Sequence, residues 1–345
     1  MSKLPKLIRI NVLYDGVNAN TEIGSDLLEF SYKDNINSAD EISLTLKDDE
    51  GLWINDWFPL KGDKLTADIE VFENNKWQTL ECGDFFVDDK TFSGPPQILN
   101  LNATSIDITT QLKNENKTKI WQKTSIKKIA QAIATSHKLS FKFTGKDFEI
   151  QKAEQKEQSD GGFLQALCTS HGYGLKLIKS KLQVIELDEI ESLEAVLTFE
   201  KEYMIPYSFH DTDCDTYDKC VIQYKDTKLG KQIKGEASLK RAGYKSSTGK
   251  TYRPKQKFGV SGTEAQKKAQ LNKIAASLLR EKNKSELTMS FSTIGSIGIF
   301  AGRTYKILGF GSYDSNKWII DSVEHSYSSS GYRCNIEGRQ CLVWK

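Results

Sequence analysis

The chain has four histidines, His137, His171, His210 and His325, as candidate acid–base groups, and none sits in an HExxH or other recognised metal or base motif. Helix ends and strands account for them as structural residues. The densest polar cluster is His210-Asp-Thr-Asp-Cys-Asp215, with Asp218 and Cys220 close behind. Imidazole, thiolate and carboxylate all ligate transition ions. Zinc sites, however, favour tight cysteine pairs matched by a second pair elsewhere, and the same run suits a solvated loop ahead of a strand at Tyr217. The paired carboxylates of a glycoside hydrolase meet only in space, so the 46 acidic residues are no evidence by themselves. There is no GxSxG elbow and no cysteine nucleophile signature, and the Gly-rich stretch Gly295 to Gly311 lacks the GK[ST] of a phosphate loop. The expectation is a protein that is not an enzyme and uses no cofactor or metal.

A second candidate surface is basic. Lys225 to Lys284 carries seventeen Lys or Arg against four acids, with Tyr244, Tyr252 and Phe258 interleaved. Such a run can contact phosphates and stack bases; a solvated loop or an acidic protein partner fits it equally. Over the whole chain 48 basic residues face 46 acidic ones, and a formal charge of +2 supplies no global pull toward nucleic acid or anionic membranes.

The elements that must position these residues fall into three stretches, as a length of 345 residues suggests for two or three domains. Residues 1–105 read as strands. Ile8, Ile10, Val12 and Tyr14 share a face before an Asp15-Gly16 turn, and period two returns at Ile42/Leu44/Leu46, Leu65/Ala67/Ile69/Val71 and Leu99/Leu101/Ala103. Asn74-Asn75, Gly83 and Gly94-Pro95-Pro96 punctuate them. An antiparallel barrel or sandwich follows.

Over 106–198 the pattern changes. Thr124-Ser125 caps a helix with Ile126, Ile129, Ala130 and Ile133 on one face, running to about Lys138. Ser159-Asp160 opens a second helix bearing Phe163, Leu164, Leu167 and Cys168, stopped by Gly172. A hairpin over Gly174–Ile178 and Leu182–Glu186, turning at Lys179-Ser180, completes an α+β module. Over 199–345 strands resume at Tyr217–Tyr224, Leu287–Phe291, Thr304–Leu308, Trp318–Tyr327 and Tyr332–Gly338. The basic segment and a helix begun by the capping box Thr263-Glu-Ala-Gln266 are inserted at about 225–284, the helix showing an apolar stripe of Leu271, Ile274, Ala275 and Leu278.

The two β stretches echo one another. Gly62-Asp-Lys-Leu followed by Phe86-Val-Asp88 matches Gly302-Arg-Thr-Tyr followed by Ile319-Ile-Asp321, in each case a glycine-opened strand and then an apolar strand ending in Asp. Chance β patterning and a barrel fold used twice both remain open on these few positions.

The N-terminus alternates apolar and polar residues and lacks a signal-peptide core. No stretch reaches the roughly eighteen uninterrupted apolar residues of a membrane-spanning helix. Six scattered cysteines without CxxC spacing predict reduced thiols in a cytoplasm.

Ser125-Ile-Lys-Lys-Ile-Ala-Gln-Ala-Ile-Ala134, Gln155-Lys-Glu-Gln-Ser-Asp160, Phe163-Leu-Gln-Ala-Leu167 and Gly172-Tyr-Gly-Leu-Lys-Leu177 together resemble the helix, ESD-xx-FL-xx-L helix and hairpin of the late-control D proteins of contractile-tailed phages. These are relatives of the hub part of type VI secretion spike proteins. Ala265–Leu279, Gly302-Arg-Thr-Tyr and Trp318–Tyr327 agree with the family's later elements in order. The resemblance is strongest over 106–338, whereas 1–105 agrees only in β character. Gln158 stands where the family commonly has Glu, and no needle or lysozyme-like extension follows Lys345, so any spike tip is expected on another polypeptide.

The resemblance implies a mainly β protein with an α+β insert: two tail-tube-like antiparallel β-barrel domains (1–105 and 199–345) flanking a small α+β domain (106–198). It implies a structural baseplate hub, a homotrimer whose six similar barrels join a six-fold tail tube above to a three-fold spike below. Other baseplate proteins would surround it, and a tape-measure protein would reach its lumen. It would be made in the bacterial host cytoplasm and built into a virion or tail-like particle. Leu271, Ile274 and Leu278, with the strand-opening Gly62 and Gly302, are the candidate subunit or partner interface, burial within the chain being the rival role of the stripe. A cell-wall hydrolase on the same scaffold and a nucleic-acid- or glycan-binding β protein are the alternative functions.

Overall fold

The computed structural model describes residues 7–15, 17–18, 20–36, 38–105, 115–178, 180–226, 230–240, 247–255 and 259–344. Gly16, Lys179, Tyr244 and Phe258, named above in two turns and the basic run, lie outside the described residues. The N-terminal stretch holds β1 (Leu7–Tyr14), β2 (Val17–Asn18), α1 (Asn20–Asp26), β3 (Leu27–Asn35), β4 (Glu41–Lys47), β5 (Lys64–Glu73), β6 (Lys76–Ser93) and β7 (Ile98–Thr104). The middle stretch holds β8 (Asn116–Ser125), α2 (Ile126–Ser136), β9 (Ser140–Thr144), β10 (Glu149–Ser159), α3 (Asp160–Ser170), β11 (Tyr173–Ile178), β12 (Lys181–Glu186) and α4 (Leu187–Ser192). The C-terminal stretch holds β13 (Leu197–Glu200), β14 (Tyr207–Asp211), β15 (Lys219–Asp226), β16 (Lys231–Ser238), β17 (Thr251–Tyr252), β18 (Gly259–Val260), α5 (Glu264–Asn283), β19 (Leu287–Ile294), β20 (Thr304–Leu308), β21 (Trp318–Ser328) and β22 (Gly331–Gln340).

Alternation places the strands as expected. Leu65, Ala67, Ile69 and Val71 of β5 and Ile42, Leu44 and Leu46 of β4 are all buried, their polar neighbours facing out. The two β stretches do not stand as separate bodies, however. Among the described residues thirteen strands form one sheet, because β3 pairs antiparallel with β21 and carries the N-terminal strands onto the C-terminal ones. One apolar core runs beneath both, from Leu65 and Phe85 to Tyr305 and Trp318.

The middle stretch packs α2 and α3 on two three-stranded sheets, β8 with β10 and β18, and β9 with β12 and β11. Both helices start where the sequence indicates. The hydroxyls of Ser125 and Ser159 accept from the N–H groups of Lys128 and Gly162, each satisfying one orphan donor of a helix start. Strands β8 and β10 were not legible from the sequence, since runs such as Lys-Thr-Lys-Ile-Trp-Gln-Lys show little alternation.

The inserted segment is a unit of its own. Sheet β16–β15–β17 packs on α5, whose capping box is complete: Thr263 accepts from the Gln266 N–H and Gln266 accepts from the Thr263 N–H. Leu271 and Ile274 are buried against Cys220, Ile222 and Ile233, and Leu278 is half-buried beside them. This corrects the expectation that Leu271 and Ile274 offer a subunit surface. Gly235 of β16 allows the contact, since a Cβ there would overlap Leu271, and the stripe is consumed inside the chain.

Candidate assembly interface

The echo seen in the sequence is a repeat in space. The Gly62 N–H donates to the Val87 carbonyl at 2.8 Å and the Val87 N–H to Asp63 at 3.0 Å; the Gly302 N–H donates to Ile320 at 2.8 Å and the Ile320 N–H to Arg303 at 2.9 Å. Both glycines have positive φ, +91° and +87°, which a side chain would strain. Turn geometry places Gly62 and Gly302, and a Cβ on Gly302 would meet only open space. After Val87 and again after Ile320 the register slips by one residue, a bulge at Asp88 and at Asp321.

The correspondence extends to five strands. In the first half β3 pairs with β4, β4 with β7, β7 with β6 and β6 with β5; in the second β14 pairs with β19, β19 with β22, β22 with β21 and β21 with β20. Following partners through these ladders equates Glu41 with Thr288, Leu101 with Ile336 and Tyr32 with Phe209. On that register Phe30-Ser-Tyr-Lys-Asp34 lies on Tyr207-Ser-Phe-His-Asp211. This similarity was present in the sequence, but the run at 210–215 read as a loop, and β14 was missed.

The seam between β3 and β21 joins the halves. Ser322 faces Asn35, Val323 faces Asp34, Glu324 faces Lys33, His325 faces Tyr32 and Ser326 faces Ser31. The His325 ring stacks on Tyr32 with centroids 5.8 Å apart. Its Nε2–H donates to the Ile299 carbonyl at 3.0 Å, which leaves Nδ1 to accept from the Tyr332 hydroxyl at 2.6 Å. Burial holds this imidazole neutral and pushes its pKa down to about 4.

Below the seam, Lys176 of β11 forms an ion pair with Asp34 and lies 3.7 Å from Asp40, which binds the middle stretch to the junction. Asp34 also accepts from the Ala301 N–H at 2.8 Å, and Asp40 accepts from the Asn35 N–H at 3.0 Å. Burial raises the Asp40 carboxyl to about 7 and lowers the Lys176 ammonium to about 8, each charge being costly away from water. A second buried cluster ties the middle stretch to the inserted helix and to the C-terminal strands. Glu191 of α4 accepts from Arg280 of α5 at 3.2 Å and from Arg339 of β22 at 2.6 Å, while Asp188 and Asp321 pair with the outer sides of the two guanidiniums. Neither cluster was visible in the sequence, because Lys176 and Asp34 are 142 residues apart and Arg339 and Glu191 148.

The residues singled out for chemistry are dispersed. His137 bonds Asp160 at 2.9 Å, and His171 is buried with its pKa pushed down to about 4 by desolvation. His210 and Asp211 sit on β14, the Asp215 carboxylate is held by Lys282 and Tyr217, and Cys220 is buried under α5. Among the described residues no three His, Cys, Asp or Glu side chains gather as metal ligands. Much of the basic run is answered by acids: Lys267 by Asp226, Lys273 by Glu186, Arg280 by Asp188 and Glu191, and Lys284 by Glu281. Among the described residues no helix is long and apolar enough to cross a membrane.

No family model matches the chain. It is 23% identical over 336 aligned positions to a probable baseplate hub protein of Escherichia phage 186, spanning 87% of this chain and 84% of that protein. Its fold is that of the 43 kDa tail protein of prophage MuSo2 from Shewanella oneidensis, with a TM-score of 0.67 at 12% identity and 96% and 97% of the two chains covered. It is also similar to an Escherichia coli component of the type VI secretion system described as resembling bacteriophage T4 tail proteins, with a TM-score of 0.57 at 11% identity over 97% of this chain and 76% of that one. The chain is thus similar in sequence to a phage baseplate hub protein and in fold to phage tail and type VI secretion proteins, the resemblance that its helix and hairpin motif indicated.

Proposed function

We propose that this structural baseplate hub acts as a homotrimeric adapter between a six-fold tail tube and a three-fold spike, without catalytic activity of its own. One observation carries the reading: the same five-strand set, with the same glycine-led turn and the same bulge, occurs twice in one chain. Three chains then present six similar β units to the tube, with 1–105 and 199–345 supplying one each, while the threefold axis of the assembly suits the spike. The 106–198 stretch and the inserted helix, tied by Glu191 and Lys176 to the sheet, brace each pair of units from outside. Tube protein, spike protein and neighbouring baseplate proteins are the partners, with a tape-measure protein reaching the lumen. The protein is made in the host cytoplasm and built into the tail.

The test is the mass in solution, by light scattering behind a sizing column, followed by capture with tail-tube and spike proteins. A trimer of 39.0 kDa chains that retains both partners is the expected result. A monomer that clears cell wall, or one that binds nucleic acid with a steep salt dependence, overturns it in favour of a hydrolase or a nucleic-acid-binding protein.

A further inference from the structure

We propose that Asp34, Asp40 and Lys176 form a proton-operated clasp, which holds the middle stretch against the N-terminal strands while Asp40 carries a proton and lets β11 lift from them once that proton is lost.

The geometry is that of a charge imbalance shut inside the molecule. Two carboxylates share one ammonium: Lys176 pairs with Asp34 and lies 3.7 Å from Asp40, the side chains of Lys176, Asp34 and Asp40 being 12%, 5% and 1% exposed. With every group ionised, one negative charge is left in excess, and a buried charge without a partner is costly enough to be given up instead. Asp34 is the better kept as a carboxylate, since it also accepts from the Ala301 N–H at 2.8 Å. Asp40 is the deeper of the two and the farther from the ammonium, and its Oδ1 accepts from the Asn35 N–H at 3.0 Å in either state. The proton therefore belongs on Asp40. Burial, which raises this carboxyl to about 7, puts the change of charge near neutrality.

The other groups that face the trio do not cancel it. Glu41 of β4 resists a second negative charge on Asp40. Tyr32 of β3 donates its hydroxyl to Asp40 at 3.4 Å, with Cys82 of β6 beside it, and burial keeps the phenol protonated. His325 of β21 stacks on Tyr32, with Tyr332 and Cys334 of β22 behind it. Among the described residues Lys176 is the one cation that pairs with either aspartate.

What the clasp frees lies beside it. Leu175 and Leu177 of β11, with Ser38, Ala39 and Glu41 opposite, line a groove of about 930 Å³ between the middle stretch and the large sheet, so a parted clasp opens onto solvent. Strand β11 pairs with β12 alone among the described residues. The cluster at Glu191 still fastens the far end of the stretch to α5 and β22, which makes the movement a local swing.

Closure is linked to proton uptake. Asp40 keeps its proton to about pH 7 in the closed joint but only to about 3.9 once exposed, so the advantage of closure is complete below about pH 4 and is lost as pH rises through 7. Between pH 5 and 8 the open fraction should rise roughly 10–100-fold, the upper figure applying where opening hydrates Asp40 fully. The buried imidazole of His325 acts in the opposite sense, since the stability it allows is lost as pH falls toward 4. A joint that tightens on acidification is thus the mark of Asp40.

The test is amide hydrogen exchange in the full chain from pH 5 to 8, resolved to single residues by mass spectrometry and expressed as protection relative to unstructured peptide at each pH. Asn35, Ser105 and Ala301 are the reporters, because their N–H groups bond the two aspartates. Their protection should fall roughly 10–100-fold from pH 5 to 8 and level off above about pH 7, while Leu65–Val71 of β5 holds its own. Asp40→Asn, which keeps the shape of the protonated acid, should retain the pH 5 protection throughout. In the parent chain, protection that is flat across this range, or that falls equally in β5, overturns the clasp whether or not the variant folds. A folded Asp40→Asn chain with the parent's pH dependence overturns it as well.

Discussion

Removing the charge of Glu191 tests whether the middle stretch, the inserted helix and the C-terminal strands are held as one body. The side chain is 4% exposed and its Oε1 accepts from two guanidiniums, those of Arg280 and Arg339, which are themselves 1% and 5% exposed. Glu191→Gln keeps the shape and leaves two buried cations sharing an uncharged partner. Breaking a buried pair in this way costs about 3–5 kcal/mol. Each arginine keeps one further carboxylate, Asp188 or Asp321, both partly exposed, so the lower end, about 3 kcal/mol, is expected. An unfolding entropy of about 2.1 cal/mol/K per residue over the chain converts this to a fall of roughly 4 °C in the thermal midpoint. Differential scanning calorimetry or a circular dichroism melt reads it. Replacing the charges together (Glu191→Leu, Arg280→Met and Arg339→Met) should restore much of the loss, because no buried cation then lacks its partner. A Glu191→Gln midpoint within about 1 °C of the parent would refute the claim that this carboxylate is what satisfies the two guanidiniums.

Further outcomes follow from the turns, the caps and the buried imidazoles. Gly62→Val and Gly302→Val should each cost about 1–2 kcal/mol of stability in urea titrations, because both positions require positive φ. Thr263→Ala should cost about 1 kcal/mol by removing one arm of the capping box on α5. Both His171 and His325 have pKa values depressed to about 4, so the stability they allow is complete above the unfolded value near 6.5 and is lost as pH falls toward 4. His325→Phe should therefore shallow the decline of the melting midpoint between about pH 6.5 and 4 relative to the parent, and an unchanged slope would contradict the neutral, buried imidazole.

The sequence was most legible where a single element sets its own pattern. The period of Leu65–Val71, the Ser125 and Ser159 caps and the Thr263–Gln266 box all appear in the structure at the residues indicated. Each is a local signal, since a strand's alternation or a cap's donor count is settled within a few residues. Strand β14 was not legible, because five residues ending in His-Asp and followed by Thr-Asp look like a solvated loop until β19 supplies a partner. The apolar stripe of α5 was seen correctly as a buried face but offered to the wrong neighbour, and only the packing of β15 and β16 shows that it is used within the chain. The seam and its ion pairs were out of reach for a simpler reason: Asp34, Lys176 and His325 are ordinary residues until the fold brings them together.

The seam also sets an order in time. Strand β3 leaves the ribosome early, yet the residues that cover it, Ser322–Ser328, are made roughly 290 residues later. At translation speeds of about 5–20 residues per second, Phe30 and Tyr32 wait about 15–60 s beside an unpaired edge. During that interval the nascent N-terminal strands display the kind of edge that captures other strands, including the same segment on a neighbouring ribosome of the same message. A chain that builds its sheet from both termini cannot fold its first half to completion alone, and its yield in the cell depends on finishing synthesis before that edge finds another partner.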